Sequence, residues 1–293
     1  MSDPNWQRSD VRRLQRHRRR RRLRLLGVVV LLAAVVAAGS AVLKHRRDLA
    51  AGTPTVTSPP PIRLTFPEGL RREEMAKLLD EKTQLSGQEY LDATGPGTRG
   101  AERAGLSKPT SLEGFLFPAT YEIGTRTTVP YLVDQQLAAF DGTFGTVNMK
   151  FAKSRNLTKF DVLIIASMIE REVVVPAERP IVAGVIYNRL KRKMRLDIDA
   201  TVQYAVGEWR PLTAADLASD SPYNTRKFPG LPPGPIANPG LASIEAAAHP
   251  KQSAFLYYVA REDGTNRHYF AKTLGEFETL KTRARANAAA KQP

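Results

Sequence analysis

"LIIASMIEREVV", residues 163–174, is the stretch that decides how the main part of this chain is built. Thr158 followed by Asp161 matches the capping-box pattern, and the apolar run behind it meets neither Gly nor Pro before Pro176. The pattern predicts a helix over about 159–175. Apolar residues cover most of its circumference, which indicates that other elements enclose it.

The two glutamates of this helix, Glu170 and Glu172, allow two interpretations. On helical spacing Glu170 falls among small and apolar residues, and Glu172 lies nearly opposite. The carboxylates could pair with Arg171, Arg179 or another cation within an ordinary core helix, since enclosed Glu is rarely unpaired. Alternatively, apolar surroundings favour the protonated form of Glu170, which suits it to protonate a leaving oxygen near neutral pH. The helix alone leaves both interpretations open.

The first 43 residues indicate a membrane anchor. Residues 1–24 hold ten arginines and two aspartates, whereas residues 25–43 carry no charge. A stretch of 19 uncharged residues is long enough to cross a hydrocarbon core of about 30 Å. The larger Lys/Arg excess precedes the span, which predicts a cytoplasmic N-terminus and an extracytoplasmic remainder in a single-pass cell-membrane protein. A cleavable signal peptide is the alternative, because "AVVAAGSA" contains the small residues that signal peptidase accepts.

Composition excludes several kinds of chemistry. Of the formal charge of +15, residues 1–24 carry +8 and residues 44–47 carry +3, so the remainder is nearly balanced. The basic tail predicts contact with anionic lipid rather than nucleic acid, whose binding would require aromatic residues among the arginines. The chain has no cysteine, and its four histidines lack metal-ligand spacing. No metal and no other cofactor is predicted, which leaves carboxylate chemistry.

The segment after the span divides into a small and a larger α+β unit. The predicted organisation is a basic cytoplasmic tail at 1–24, a transmembrane helix at 25–43, a linker at 44–61, a small α+β subdomain at 62–106, a connecting segment at 107–150, a larger α+β catalytic domain at 151–285 and a C-terminal tail at 286–293. Asp199 and Asn238 have the positions of helix caps. The proline-rich segment 221–240 is long for a loop, which is typical of a binding wall or lid.

Seven motifs carry a resemblance to a known family. They are "LIIASMIEREV", "RPIVAGVIYNRL", "SPYNT", "GLPPGPIANPG", "SIEAAAHP", "FLYYVA" and "HYF". In order and approximate spacing they resemble the YceG-like family of endolytic murein transglycosylases over about 62–285, most strongly over 160–271. "LEGFLFPATY" is similar to another element of that family, and residues 62–106 resemble its LysM-like subdomain.

The resemblance implies an enzyme that cuts peptidoglycan glycan strands within the chain. The bond cut joins N-acetylmuramic acid to N-acetylglucosamine, and the product keeps a 1,6-anhydro end. The family's catalytic glutamate falls on Glu170. Because the sugar's own 6-hydroxyl replaces water, one carboxyl group can serve as acid and then as base, whereas hydrolytic glycosidases use two. The substrate-binding residues implied are Glu172, Glu113, Asn188, Asp199, Tyr223, Asn224 and Asn238.

Two positions depart from the family pattern. Where the family commonly has Q-x-D-P-T-V, this chain has "DIDATV", with Asp197 in place of Gln and Ala200 in place of Pro. The departure does not change Glu170. It puts two expectations in question, the substrate contacts at residue 197 and the shape of the local loop.

The predicted partners are peptidoglycan glycan strands and membrane lipid, with peptidoglycan synthases or division proteins as candidates. The alternative from another class is a non-catalytic, membrane-anchored adaptor that binds peptidoglycan. Such an adaptor has no need of a carboxyl group in an apolar helix, so Glu170 discriminates between the two.

Overall fold

The computed structural model describes residues 34–47, 59–98 and 111–291. They fall in two compact units, Met1–Ser58 and Pro59–Pro293. In the first unit, residues 34–47 form an exposed helix, α1. Within the three described ranges, no helix combines the length and the apolar character needed to cross a membrane. The basic tail and residues 25–33 of the predicted span lie outside the described residues.

The second unit mixes helices with short strands, which confirms the α+β class. Its elements are β1 Ile62–Thr65, α2 Arg72–Lys82, α3 Gly87–Thr94, β2 Thr120–Ile123, α4 Val129–Gly145, α5 Lys150–Ser154, α6 Lys159–Glu172, a 3₁₀ turn Pro176–Glu178, α7 Arg179–Lys191, α8 Asp199–Val206, α9 Ala214–Leu217, α10 Leu241–Ala248, β3 Tyr257–Ala260, β4 His268–Ala271 and α11 Leu274–Ala289. The strands pair antiparallel, β1 with β2 and β3 with β4.

Helix α6 lies at the centre of the larger part of the unit. Thr158 caps it as predicted, since its hydroxyl accepts the Asp161 N–H at 3.1 Å and the Asp161 carboxylate accepts the Thr158 N–H at 2.8 Å. All residues from 162 to 169 are buried. Helices α7 and α10 pack against α6. The expectation of an enclosed helix is therefore confirmed.

The end of α6 differs from the prediction of about 175. The helix stops at Glu172, and Val173 takes an extended backbone. Two further β-branched residues follow before Pro176, and the residue that precedes a proline disfavours helical backbone. Glu170 and Glu172 therefore lie in the last turn of α6, where the chain leaves the core.

The small part of the unit is built around β1 and β2. Ile62 pairs with Ile123 and Thr65 pairs with Thr120. Strand β2 falls in the segment predicted to be a connection, so the small sheet is closed by residues from beyond the predicted boundary at 106. Helix α2 packs against α3, and α4 packs against α3. Residues 99–110, which include this boundary, lie outside the described residues.

Two backbone hydrogen bonds join the small part to the larger one. The Gly69 N–H donates to the Asn238 carbonyl at 2.8 Å, and the Asn238 N–H donates to the Leu70 carbonyl at 2.9 Å. Gly69 has a φ of +82°, a left-handed backbone that glycine adopts without strain. The turn after β1 is thereby placed over the last turn of α6.

Two predicted caps differ in the structure. Helix α8 has Ile198 as its N-cap and Asp199 as its first helical residue, and α10 has Gly240 rather than Asn238 as its N-cap. The last helix, α11, has Thr273 as its N-cap, with the Glu276 N–H donated to Thr273 Oγ1 at 3.2 Å. The sequence pattern alone predicted a polar N-cap for both α8 and α10. The Asn238 side chain instead forms its hydrogen bonds in the interior.

Candidate active site

Glu170 projects from the last turn of α6 into a small polar site. Its side chain is 6% exposed, and Oε1 lies 3.5 Å from the Arg179 guanidinium at the start of α7. Its Oε2 accepts the Gly240 N–H at 3.0 Å. Gly240 is the N-cap of α10, so the partial positive charge of a helix N-terminus also faces this carboxylate.

A second carboxylate, Glu68, lies against the same glycine. A Cβ built on Gly240 would come within 1.8 Å of Glu68 Oε1, so the Glu68 carboxylate occupies the space beside the Gly240 backbone. Burial raises the pKa of Glu68, the negative charge of Glu170 raises it further, and Arg179 lowers it. Two carboxylates and one guanidinium therefore share the end of α6.

The expectation that the neighbours of Glu170 are small and apolar is wrong, because charged and polar groups from other segments also lie at the end of α6. Spacing along α6 reports only neighbours within the same helix, whereas Glu68, Arg179 and Gly240 come from segments far away in sequence. The pairing with Arg179 agrees with the ion-pair interpretation. The contact is long, however, and Arg179 Nε is buried with no hydrogen-bond partner among the described residues.

One wall beside this site is a cation–aromatic stack. The Arg171 guanidinium lies 3.6 Å from the centroid of the Trp209 ring and donates to the Gly69 carbonyl at 3.0 Å. Trp209 Nε1 donates to Glu74 at 2.9 Å, which ties the wall to α2. The Arg171 guanidinium is thus held against the small part of the unit by the Gly69 carbonyl and the Trp209 ring.

Glu172 lies in a different environment, as its position on the helix predicts. Its Oε2 accepts the Tyr258 hydroxyl at 3.3 Å. Burial raises the pKa of Glu172 and the charge of Asp199 raises it further, while hydrogen bonds from the Ala200 N–H and Tyr258 lower it. His268 is near this group and pairs with Glu178, with 2.8 Å between Nδ1 and Oε2.

The two departures from the family pattern have defined contacts. The Ala200 N–H that reaches Glu172 is a donor that proline would not have. Asp197 Oδ2 accepts from Arg189 at 2.9 Å, and its φ of +54° marks a tight turn before α8. Ala200 therefore shapes the surroundings of Glu172, whereas Asp197 pairs with Arg189 and Arg195.

Asn238 and Glu113 meet in the interior between the two parts of the unit. The Asn238 amide is fully buried and donates to Glu113 at 2.7 Å and to the Leu70 carbonyl at 3.0 Å. Its Oδ1 accepts the N–H groups of Gly114 at 2.8 Å and Leu116 at 3.0 Å. These four bonds fill the amide's hydrogen-bonding capacity, so Asn238 fixes the chain that leads to Gly240.

The Glu113 carboxyl is almost completely buried, with 2% of the residue exposed. Burial raises the pKa of Glu113 to about 8, with a contribution from the charge of Glu73. Tyr223 is close enough for the charge of Glu113 to raise its pKa, although burial is the larger cause. The Tyr223 and Tyr204 rings lie 4.8 Å apart between centroids.

Asn224 and Asn188 donate to backbone carbonyls and not to either carboxylate in the last turn of α6, whereas Asp199 is close enough to Glu172 for its charge to raise the pKa of Glu172. The Asn224 amide is buried and donates to the carbonyls of Leu217 and Ser219. Asp199 forms an exposed ion pair with Arg226.

Asn188 donates to the carbonyls of Ser253 and Phe255, each at 2.9 Å. It lines a cavity of about 470 Å³ at the end of α7 away from Arg179. A rise of 1.5 Å per residue puts it roughly 14 Å along the helix from the Glu170 site.

The sequence prediction missed Glu68 and Gly240. The available signal was the "FPEG" sequence at 66–69, in which a proline and a glycine flank Glu68 and indicate a turn. Nothing in that pattern indicates that the turn lies on α6, because the contact depends on the pairing of residues 69–70 with residue 238.

Comparison with known proteins agrees with this architecture. The sequence pattern of the YceG-like family matches residues 13–283. A protein of Bacillus subtilis named endolytic murein transglycosylase is 38% identical over 215 residues, which are 72% of this chain and 57% of that protein. A protein of the same name from Streptococcus pneumoniae is 36% identical over 234 residues, 71% of this chain and 42% of that protein. The chain thus spans about half the length of these curated relatives.

A solved structure supports the assignment as well. The crystal structure of a yceG-like protein from Listeria monocytogenes superposes with a TM-score of 0.66 at 34% identity, over 75% of this chain and 76% of that one. The match with the family pattern covers most of the chain, and it includes both the turn that carries Glu68 and the helix that carries Glu170. On this evidence the chain belongs to the YceG-like family.

Proposed function

We propose that this chain is a lytic transglycosylase that cleaves peptidoglycan glycan strands within the chain. The observation that carries the proposal is Glu170, a nearly enclosed carboxylate at the end of a buried helix, held by the Gly240 N–H and only loosely paired with Arg179. The names of the relatives support the substrate class. A structural ion pair alone would not explain the second carboxylate, Glu68, at the same place.

The proposed reaction needs one proton donor, Glu170, and this residue regains a proton by the end of the reaction. Protonated Glu170 gives its proton to the oxygen that links N-acetylmuramic acid to N-acetylglucosamine, and the bond from C1 to that oxygen breaks. The 6-hydroxyl oxygen of the same muramic acid residue then bonds to C1. Its proton returns to the Glu170 carboxylate. No water is consumed, and the muramic acid product ends in a 1,6-anhydro ring.

An internal cut changes strand length in a recognisable way. We expect the full chain, incubated with long uncrosslinked glycan strands, to convert them first into fragments of intermediate length. Size-exclusion chromatography of the products over time measures this, because internal cuts halve the mean length before any disaccharide accumulates. Disaccharides released from the outset, with the remaining strands still long, would contradict cleavage within the chain.

A membrane anchor is part of the proposal. Charge asymmetry and apolar length favour a retained helix at 25–43, with the N-terminus in the cytoplasm and Pro59–Pro293 on the other side. We expect alkaline phosphatase, which folds only outside the reducing cytoplasm, to be active when fused after residue 293. An inactive phosphatase fusion together with a fluorescent cytoplasmic reporter at the same position would overturn this orientation.

The small part of the second unit is proposed to be a LysM-like module that positions the strand over Glu170. Its turn at 66–71 lies on the end of α6, where a long polymer would run past the acid. Glycan strands and membrane lipid are the proposed partners, and peptidoglycan synthases or division proteins are candidates. A non-catalytic adaptor remains the rival, and it predicts glycan binding without strand shortening.

A further inference from the structure

We propose that the cavity at the far end of α7 binds the peptide stem of the glycan strand through the free carboxylates of that stem. The inference rests on the proposed function, because the stem is part of the proposed substrate and hangs from its N-acetylmuramic acid residues. It adds a second binding region to the site at Glu170 and assigns an acidic peptide as the ligand.

Three segments build the walls of this cavity of about 470 Å³. They are α5 with the turn that follows it, the second half of α7, and residues 250–253. A Cβ on Gly184 would collide with the Lys251 carbonyl, so the glycine lets residues 250–253 lie directly on α7. The Lys251 N–H donates to the Pro180 carbonyl at 2.8 Å, and Asn188 donates to the Ser253 carbonyl at 2.9 Å. The walls are thus fixed by the fold, and the volume is in the range of small-ligand sites.

The charged side chains that line the cavity are all cationic. They are Arg155, Lys191 and Lys251, and each is exposed. None of the three has an ion-pair partner within the described ranges. The Arg155 guanidinium lies 5.2 Å from the centroid of the Phe151 ring, a contact that places the cation without using its N–H groups. The lining therefore offers donors for an anionic ligand.

Negative groups near the cavity are already engaged. The charge of Asp161 adds to burial in raising the pKa of Tyr187, but the Asp161 carboxylate accepts the Thr158 N–H and hydroxyl at 2.8 and 2.7 Å. The last carbonyls of α5 accept N–H groups from residues 155–157, and those of α7 accept from residues 192–194. The negative ends of both helices are therefore hydrogen-bonded within the chain, and the three cations stay open to a ligand.

The uncharged side chains of the lining favour a peptide over a phosphate. Asn156 and Gln252 are exposed, and neither amide has a hydrogen-bond partner in the part of the chain that the structure describes. An amide both donates and accepts, which matches the N–H and C=O groups of a peptide, whereas an ionised phosphate only accepts. The Phe151 and Tyr187 rings, 5.8 Å apart between centroids, add apolar surface for the side chains of such a peptide.

The reach of a stem matches the position of the cavity. Arg179 at the start of α7 contacts Glu170, and the lining runs from Gly184 to Lys191 on the same helix. At 1.5 Å per residue, these positions lie roughly 8–18 Å along α7 from Arg179. A stem of about four or five residues spans roughly 13–18 Å when extended. A muramic acid residue held at Glu170 can therefore place the carboxylates of its own stem in the cavity.

Isothermal titration calorimetry of the full chain in detergent tests the site without turnover. The probe is the peptide stem released from peptidoglycan by an amidase. We expect Arg155→Gln combined with Lys191→Gln to weaken stem binding about tenfold, and amidation of the stem carboxylates to weaken binding to the wild type by a similar factor. Lys153→Gln, which removes an exposed cation of α5 outside the lining, is the matched control and should change the dissociation constant less than about twofold.

Inorganic phosphate is the probe for the rival ligand, a lipid phosphate. Phosphate that bound as tightly as the stem would contradict the proposal. So would a wild type that bound no stem, or a double variant that bound the stem as tightly as the wild type does.

Strand cleavage separates this inference from the proposed function. The wild type should have a lower KM for strands that carry stems than for strands stripped of them by the amidase, and the double variant should lose that preference. If the wild type binds the stem but cuts neither kind of strand, the proposed function fails and the stem site stands. If it cuts strands but binds no stem, the stem site fails alone.

Discussion

Glu170→Gln is expected to lower the rate of strand cleavage by about 10²–10⁴-fold while the fold persists. Glutamine keeps the volume of the side chain and can still accept the Gly240 N–H, but its amide is not acidic enough to transfer a proton to the glycosidic oxygen. Arg179 loses one counter-ion and keeps Glu68 nearby, so we expect a loss of stability of about 1 kcal/mol. Initial rates and thermal unfolding of the same preparation measure the two effects.

A purely structural Glu170 would give the opposite pattern. Removal of one member of a buried ion pair that has no other partner costs roughly 3–5 kcal/mol, which would appear as a large fall in the melting temperature. Near-normal product formation by Glu170→Gln would falsify the catalytic assignment. The matched control is Glu172→Gln. If that variant alone lost activity, the acid would be the carboxylate beside Tyr258.

Asn238→Ala is expected to lower the free energy of unfolding by about 4 kcal/mol. The change leaves the N–H groups of Gly114 and Leu116 and one oxygen of the Glu113 carboxyl without their amide partner, while the Leu70 carbonyl keeps the Asn238 backbone N–H. Each buried polar group left unpaired costs about 1–3 kcal/mol, and partial relaxation reduces the sum. Urea denaturation followed by circular dichroism measures the change.

A surface asparagine supplies the comparison for this variant. Asn148 is exposed and its Oδ1 accepts the Lys150 N–H at 3.0 Å. Asn148→Ala should therefore cost no more than about 1 kcal/mol. If the two variants were equally stable, the Asn238 amide would not join the two parts of the unit as the hydrogen bonds indicate.

Local pattern predicted most of the elements of the fold. The capping box at Thr158 and the apolar run behind it are signals that act within a few residues, and the structure has the predicted helix there. The prediction failed where distant segments compete. Asn238 has the sequence of a cap, but its amide is used by residues 70, 113, 114 and 116 instead.

The candidate site was predictable only in part for the same reason. Glu170 was identified from its position in an apolar helix and from a family resemblance, both of which are visible along the chain. Its electrostatic partners were not, since Glu68 and Gly240 reach it only after residues 69–70 pair with residue 238. A helical pattern specifies which side of α6 a residue occupies, but not the charges that other segments bring to that side.

The most direct test of the proposed chemistry is mass spectrometry of the muramic acid ends formed in water enriched in oxygen-18. If Glu170 transfers its proton and the 6-hydroxyl closes on C1, each new end has the mass of an anhydro sugar, one water lighter than a reducing end, and carries no label. Glu170→Gln should form no such ends above background. New reducing ends that carry one oxygen-18 would show that water attacks C1 and would contradict the account.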